Sequence, residues 1–317
     1  LDYLDLHFTA RTPDERRELP PFLGPTLRGA FGFLLKRTVC QVSHGLCDRC
    51  LLVSACPYPA VFEGIPSADR ELMRKYQRVP QPFVLRTPFR QELDPTEQRL
   101  EWCFRLFGGA IRYWPYVVHV FQTACESGLG RRQVKPLDMT VTDGSGQVLI
   151  PAEPDAMPEP RSHQIPDSAA LIPPRCTLRW KFESPVQIVQ GGKAAGTRLD
   201  GLDLMLAARR RCEVMSAFYG ATRAPQAGAT DEAAEDTSLL RRFDRSEFTT
   251  VENTLKHFEM TRYSGRQERK VELHGVAGDL VIEGPWGEVG GWLAAAPYLH
   301  VGKSVTFGFG CVSWEIV

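Results

Sequence analysis

The 317-residue sequence has no excess of charge of either sign, for 38 Lys and Arg stand against 38 Asp and Glu. That balance argues against a protein that coats nucleic acid indiscriminately, since such binding is carried by a net positive field. Also missing is any apolar run near the roughly 18 residues a membrane span needs. Nor does the opening LDYLDLHFTARTPDERR carry the basic stretch and apolar core of a secretory signal. A soluble cytoplasmic protein without membrane contact is expected, and the leading Leu1 points to a processed chain or part of a longer polypeptide. An apolar fraction of 43% at this length leaves room for two domains, each with its own core.

What is present is unevenly distributed. Arg209, Arg210 and Arg211 adjoin one another, Arg262, Arg266, Arg269 and Lys270 lie close together, and Arg131, Arg132 and Lys135 follow a glycine turn. Acid collects elsewhere, as in DEAAED from 231 to 236, so locally basic surfaces survive overall neutrality. Solvated faces are the ordinary role of such clusters.

Cysteine is plentiful. Cys40, Cys47, Cys50 and Cys56 are separated by six, two and five residues, and the central CDRC has metal-knuckle spacing. Four thiolates would hold a structural zinc and staple a loop too small for a core of its own. An iron-sulfur cluster or free thiols are the alternatives. His44 inside this loop is a further ligand candidate, a catalytic group or a surface histidine. The other five cysteines stand in apolar contexts and are expected to fill the core.

Taken in order, DYLDLHFTA alternates as a half-buried strand. A helix starting at Pro25 and Thr26 then places Leu27, Ala30, Phe31, Leu34, Leu35 and Thr38 on one face, with Arg28, Gly29, Lys36 and Arg37 outward. QPFVLRTPF reads as an edge strand, LEWCFRLFG as a strand, and AIRYWPYVVHVFQTACESG as a helix burying His119. GLGRRQVKPLDMTVTD is a glycine turn followed by a strand. Strand, helix, strand, strand, helix, strand is the order of a ferredoxin-like unit, with the cysteine loop at 40–56 inserted in it. A connector with seven prolines spans 151–174, and the same order recurs after it. CTLRWKFESPVQIV is a strand and LDLMLAARRRCEVMSAFYG a helix. An acidic insert at 223–238 has a disordered composition. VENTLKHFEMTRYSG and RKVELHGVAGDLVIEG are paired strands, VGGWLAAAPYLH is a short helix, and the tail is a last strand. The fold class is therefore α+β: two tandem ferredoxin-like (RRM-like) domains, 1–150 and 175–317, with a metal-binding loop in the first.

The last twenty residues, YLHVGKSVTFGFGCVSWEIV, set Gly302, Gly308 and Gly310 around a strand, so the backbone must kink or approach something closely. Amides freed by such glycines make a concave anion site with Lys303 beside it. A bulge without a ligand gives the same pattern.

FLGPTLRGAFGFLLK, the four-cysteine loop ending CPYPAVFE, FESPVQIV with the following GGK, LAARRR, RYSGRQ and HVGKSVTFGFG occur in that order. Together, over nearly the whole chain, they resemble the CRISPR repeat-cleaving endoribonucleases, the sixth CRISPR-associated protein of the repeat-associated mysterious protein superfamily. The resemblance implies two ferredoxin-like domains and one cut in each repeat of a CRISPR transcript. It implies metal-independent chemistry, in which a 2′-OH attacks the adjacent phosphorus to leave a 2′,3′-cyclic phosphate and a 5′-OH. A base, an acid and positive charge at the phosphorane are then needed. Gly302, Lys303, Gly308 and Gly310 should track the RNA backbone. Arg262, Tyr263, Arg266 and Gln267 should hold a repeat hairpin or its single-stranded flank, with Arg28, Arg131 and Arg132 as further RNA contacts. Relatives often place a histidine in the first helix where this chain has Phe33, which leaves His44, His300 and Lys36 as catalytic candidates. Two other readings follow: an RNA-binding subunit of a CRISPR effector or adaptation complex that does not cut, and a metal-stapled scaffold joining proteins.

Overall fold

Alternation in the first strand, β1 (Asp2–Arg11), buries Leu4, Leu6, Phe8 and Ala10 and turns His7 to solvent. The structure, a computed structural model, describes residues 1–12, 19–42, 46–65, 78–89, 99–130, 132–150, 158–166, 172–190, 192–220, 243–264 and 269–317. The chain divides into two units, Leu1–Gln164 and Ile165 onward, with a short stretch from Phe218 belonging to the first.

In the first unit Pro25 occupies the opening turn of α1 (Gly24–Val39), where its missing N–H costs nothing. The helix buries Leu27, Phe31, Leu34 and Leu35, as its period predicts. Thr38 is instead exposed, its hydroxyl donating back to the Leu34 carbonyl at 2.9 Å. Next come β2 (Phe83–Arg86), β3 (Arg99–Phe107), α2 (Trp114–Ser127) and β4 (Leu137–Asp143). The sheet order is β2-β3-β1-β4 with every pair antiparallel, the ferredoxin-like arrangement. A two-residue strand, β5 (His163–Gln164), adds to β1. The proline-rich connector thus contributes to the first sheet, which the sequence did not announce. His119 is exposed rather than buried. The buried positions of α2 are Val117, Val118, Val120, Phe121, Ala124 and Cys125, and helical period places 119 on the opposite side.

Aromatic rings dominate this core. Phe8 stacks on Trp102 at 5.0 Å, and Phe104 lies 4.6 Å from Phe83 and 4.7 Å from Phe31. Directly opposite one another on β1 and β3, Asp5 and Arg105 form a buried bidentate pair at 2.6 and 2.7 Å. Burial alone would push the Asp5 carboxyl up. The hydrogen bonds and charge of Arg105 outweigh it and hold Asp5 below its ordinary value.

The second unit repeats the plan. β6 (Cys176–Val186) is followed by a small hairpin, β7 (Val189–Gln190) with β8 (Lys193–Ala194), and by α3 (Gly201–Tyr219). At the start of α3 Asp200 and Asp203 exchange hydrogen bonds with each other's amides, and both carboxylates pair with Arg245. VENTLKHFEMTRYSG, expected as one strand, is two: β9 (Thr249–Asn253) and β10 (Lys256–Ser264), both paired with β11 (Arg269–Gly284). After α4 (Gly290–Leu299) the chain ends in β12 (Val312–Ile316). The order β10-β11-β6-β12 again matches a ferredoxin-like sheet. Trp180 and Trp286 anchor its core, the latter donating Nε1–H to the Ile282 carbonyl at 3.1 Å. The acidic insert at 223–238 lies outside the described residues. Among the described residues no helix is long and apolar enough to cross a membrane.

Candidate nucleic-acid interface

Beyond α4 the backbone takes positive φ five times in quick succession, at His300, Gly302, Ser304, Gly308 and Gly310, with φ between 61° and 88°. Two of these glycines are there because of close approach. A Cβ on Gly302 would sit 2.4 Å from the Gln187 carbonyl oxygen, and one on Gly310 would sit 2.1 Å from that of Val301. The amides follow the same logic. Lys303 N–H donates to Gln187 O at 2.8 Å, Gly310 N–H to Pro185 O at 2.9 Å, and Gly308 N–H to Val305 O at 3.0 Å. These donors are satisfied by the protein's own carbonyls, so the anion nest expected at Gly308 and Gly310 does not form from them. What the glycines permit is a tight clasp between the tail and the end of β6.

His300 belongs to that clasp. It is 1% exposed, has a φ of 61°, and places Nδ1 3.0 Å from the Phe309 carbonyl. A carbonyl can only accept, so Nδ1 carries a proton and donates it there. The ring therefore fixes the loop from inside.

The loop's outer surface is another matter. Lys303 is exposed and Phe307 half-buried. The Arg262 guanidinium, from β10, lies 4.4 Å above the Phe307 ring. Two stretches the sequence marked separately thus meet, bringing a flat cation onto an aromatic face. Arg262 Nε has no hydrogen-bond partner among the described residues, and burial lowers this guanidinium from its ordinary value. Cross-strand register pairs Arg262 with Val271 and Ser264 with Arg269, so Arg262 and Arg269 fall on one face of the hairpin. Lys270, opposite Tyr263, belongs to the other face with Thr261 and Glu272, and an open depression there is lined by residues of both faces, Arg269 and Val271 included. Arg266 and Gln267 lie outside the described residues, as does the side chain of Tyr263.

In the first unit Arg28 and Lys36 stand two turns apart on α1, each over a ring of the short turn that follows the cysteine loop. Arg28 is 4.5 Å from the Phe62 centroid and Lys36 Nζ 5.5 Å from that of Tyr58, while the two rings stack at 5.4 Å. Phe33, between them in sequence, is 67% exposed. Arg132 is exposed at the glycine turn, and His44 and Arg131 lie outside the described residues. The LAARRR cluster is partly structural: Arg209 is buried against Glu213 and Trp292, and Arg211 donates to the Leu299 carbonyl at 3.0 Å.

Cys40, Cys47, Cys50 and Cys56 all line one small cavity beside the end of α1. Among the described residues, the group whose three ligand atoms lie within 4.8 Å of one another is a different one: Asp5, His7 and Cys103. It is unsuited to a metal, because Arg105 already occupies both Asp5 oxygens. Of the remaining cysteines, Cys103, Cys125 and Cys311 are buried, as expected of core fillers, and burial pushes the Cys125 thiol up to about 12. Cys176 and Cys212 are half-buried.

Comparison with known proteins agrees with this geometry. Residues 180–312 match the family described as CRISPR-associated endoribonuclease Cas6, and residues 1–154 match an N-terminal-domain family, AF_1859_N. An uncharacterized protein of Archaeoglobus fulgidus is 31% identical over 111 residues, which is 35% of this chain and 37% of that protein. Among solved structures, a Cas6 product complex aligns over 99% of both chains with a TM-score of 0.54 and 13% identity. Thermus thermophilus Cas6 aligns over 99% of this chain and 98% of its own, at 0.51 and 13%. A chain of a partial Cas6-RT-Cas1–Cas2 complex covers all of this one at 0.51 and 10%, with 46% of its own length matched. At these identities the structures establish the shared fold, and the likeness to the Cas6 family rests on residues 180–312 of the second unit. The second unit, in which Arg262 meets the glycine-rich tail, is thus similar over residues 180–312 to the family of CRISPR-associated endoribonuclease Cas6.

Proposed function

We propose that this protein is an endoribonuclease that cuts the repeat RNA of CRISPR transcripts. The observation that carries the reading is the Arg262–Phe307 pair, with exposed Lys303 in the same glycine-rich tail, on the unit similar to the family. It supplies charge for phosphate and a π-face for an unpaired base, the two attractions on which single-stranded RNA binding rests. The reaction is a transphosphorylation. A 2′-oxygen loses its proton and bonds to the adjacent phosphorus, the bond from phosphorus to the 5′-oxygen breaks, and that oxygen takes up a proton. The products are a 2′,3′-cyclic phosphate and a 5′-OH, and no metal takes part.

Within this scheme Arg262 and Lys303 hold the phosphate and stabilise the charge that grows on the phosphorane. His300, buried with Nδ1–H on Phe309 O, is a positioning residue that keeps the Lys303–Phe307 segment in shape. For the proton transfers the sequence offers His44 and Lys36, both in the first unit. Repeat RNA is the substrate, as hairpin or single strand. Other CRISPR subunits are the expected protein partners, in line with the Cas6-RT-Cas1–Cas2 complex to which a structural neighbour belongs.

One observation favours a second reading, a subunit that holds RNA without cutting. Phe33 stands in the first helix where relatives often have a histidine, and His300 is sealed from solvent. Labelled repeat RNA incubated with the protein in EDTA separates the two. One cut with a cyclic-phosphate end supports the enzyme, and bound but intact RNA supports the holder.

A further inference from the structure

We propose that Cys40, Cys47, Cys50 and Cys56 bind one structural Zn²⁺ as a tetrathiolate, closing the loop at the end of α1. This inference is independent of the RNA chemistry. All four side chains border a single cavity of about 190 Å³, although the first and last are sixteen positions apart. The central pair sits on a 3₁₀ turn, Cys47–Arg49, closed by Cys50 N–H donating to Cys47 O at 3.2 Å. Such a turn delivers both thiols of a Cys-x₂-Cys pair to one side. Cys40 follows the last residue of α1, while Cys47 and Cys56 pack against the first unit's core, so three of the four ligands are anchored to rigid structure.

The loop has little else to hold it. Leu51 is 99% exposed and Leu46 68%, so the segment's apolar side chains face water instead of forming a core. Local turns, such as Arg49 N–H to Leu46 O at 3.0 Å and Cys56 N–H to Leu52 O at 2.9 Å, provide its backbone bonds. An ion pair from Asp48 to Arg78 ties it outward. A segment of this kind gains its order from a crosslink, and four thiols with a Cys-x₂-Cys pair at their centre suit a metal ion.

The fit requires some closure. No three of these sulfurs lie within 4.8 Å of one another, whereas Zn–S bonds of about 2.3 Å set tetrahedral sulfurs roughly 3.8 Å apart. The exposed stretch around Leu46 and Leu51 moves inward when the ion binds. Chemically, four S–H protons are released to solvent, four Zn–S bonds form, and no oxidant or reductant is needed. Four thiolates fill every position of the ion, so the site is structural.

The test uses the full chain. Elemental analysis of purified protein should give about one zinc per chain, and Cys47→Ser/Cys50→Ser should reduce this at least tenfold, whereas Cys176→Ala leaves it unchanged. In the unmutated protein, alkylation mapped by mass spectrometry should spare Cys40, Cys47, Cys50 and Cys56 until a strong chelator is added. Replacement of zinc by Co²⁺ should give the intense visible absorption of a tetrahedral thiolate site. Iron in place of zinc overturns the proposal. So does metal-free protein in which those four thiols alkylate without chelator. Should the double variant fail to fold, the alkylation and cobalt results on the unmutated chain decide alone.

Discussion

Removing either half of the Arg262–Phe307 pair should weaken RNA binding by an amount the geometry bounds. The guanidinium stands 4.4 Å over the ring, partly buried, with Nε buried and without a hydrogen-bond partner among the described residues. It is therefore partly desolvated before any ligand arrives. A stacked base or a charged phosphate contact at such a position is worth about 1–3 kcal/mol, or roughly 5- to 150-fold in affinity. Arg262→Ala and Phe307→Ala should each fall in that range, measured by filter binding or fluorescence anisotropy at fixed salt. Because the two groups act as one platform, the double variant should lose less than the sum, with a coupling of about 0.5–2 kcal/mol. Arg262→Ala should also flatten the slope of log K against log salt by about one unit, whereas Phe307→Ala leaves it unchanged. Thermal melts establish that each variant is folded. Full affinity in the double variant, or identical salt slopes for the two single variants, would refute this reasoning.

Three further predictions concern the scaffold. Asp5→Asn leaves Arg105 buried without its counter-charge and should cost about 3–5 kcal/mol by denaturant titration at neutral pH. Because the folded Asp5 carboxyl lies below its ordinary value, that stabilisation is complete above the unfolded pKa of about 3.9 and is lost as pH falls through the lower folded value. The gap between variant and parent should therefore close in acid, and a gap that widened there would contradict the assignment. Gly310→Ala drives a Cβ toward the Val301 carbonyl at a φ of 77° and should cost about 2–4 kcal/mol, while Gly109→Ala, with open space around it, should stay within about 0.5 kcal/mol. His300→Phe keeps the packing but orphans the Phe309 carbonyl, so about 1–3 kcal/mol of stability should go while the pH profile of cleavage keeps its shape. A folded His300→Phe protein slowed a thousandfold would instead make that histidine a proton carrier.

The order of elements was legible because each strand and helix carries its own period: β1 buries alternate residues, α1 and α2 bury every third or fourth. His119 yields to the same period once α2 is taken to start at Trp114, with Pro115 in its first turn. β5 was illegible because a two-residue strand has no period, only a place against Asp2 and Tyr3. Glycine at 302 and 310 correctly announced close approach, yet sequence cannot distinguish a phosphate from a carbonyl as the object approached, and here the carbonyls of Gln187 and Val301 fill the role. Arg262 and Phe307 were marked, respectively, by a basic cluster and by a glycine-rich tail. Their meeting depends on long-range packing, which neither stretch encodes by itself. For the arginines of LAARRR, helical phase was the missing information: it buries Arg209 and leaves Arg210 exposed.

The central claim, repeat-RNA cleavage without metal, is most directly tested with end-labelled repeat RNA, purified protein and excess EDTA, reading the product ends by mass spectrometry. The account predicts one cut per repeat, a 2′,3′-cyclic phosphate on the upstream fragment and a 5′-OH on the downstream one. RNA that stays intact under saturating protein, or that is cut only when a divalent cation is added back, would contradict it.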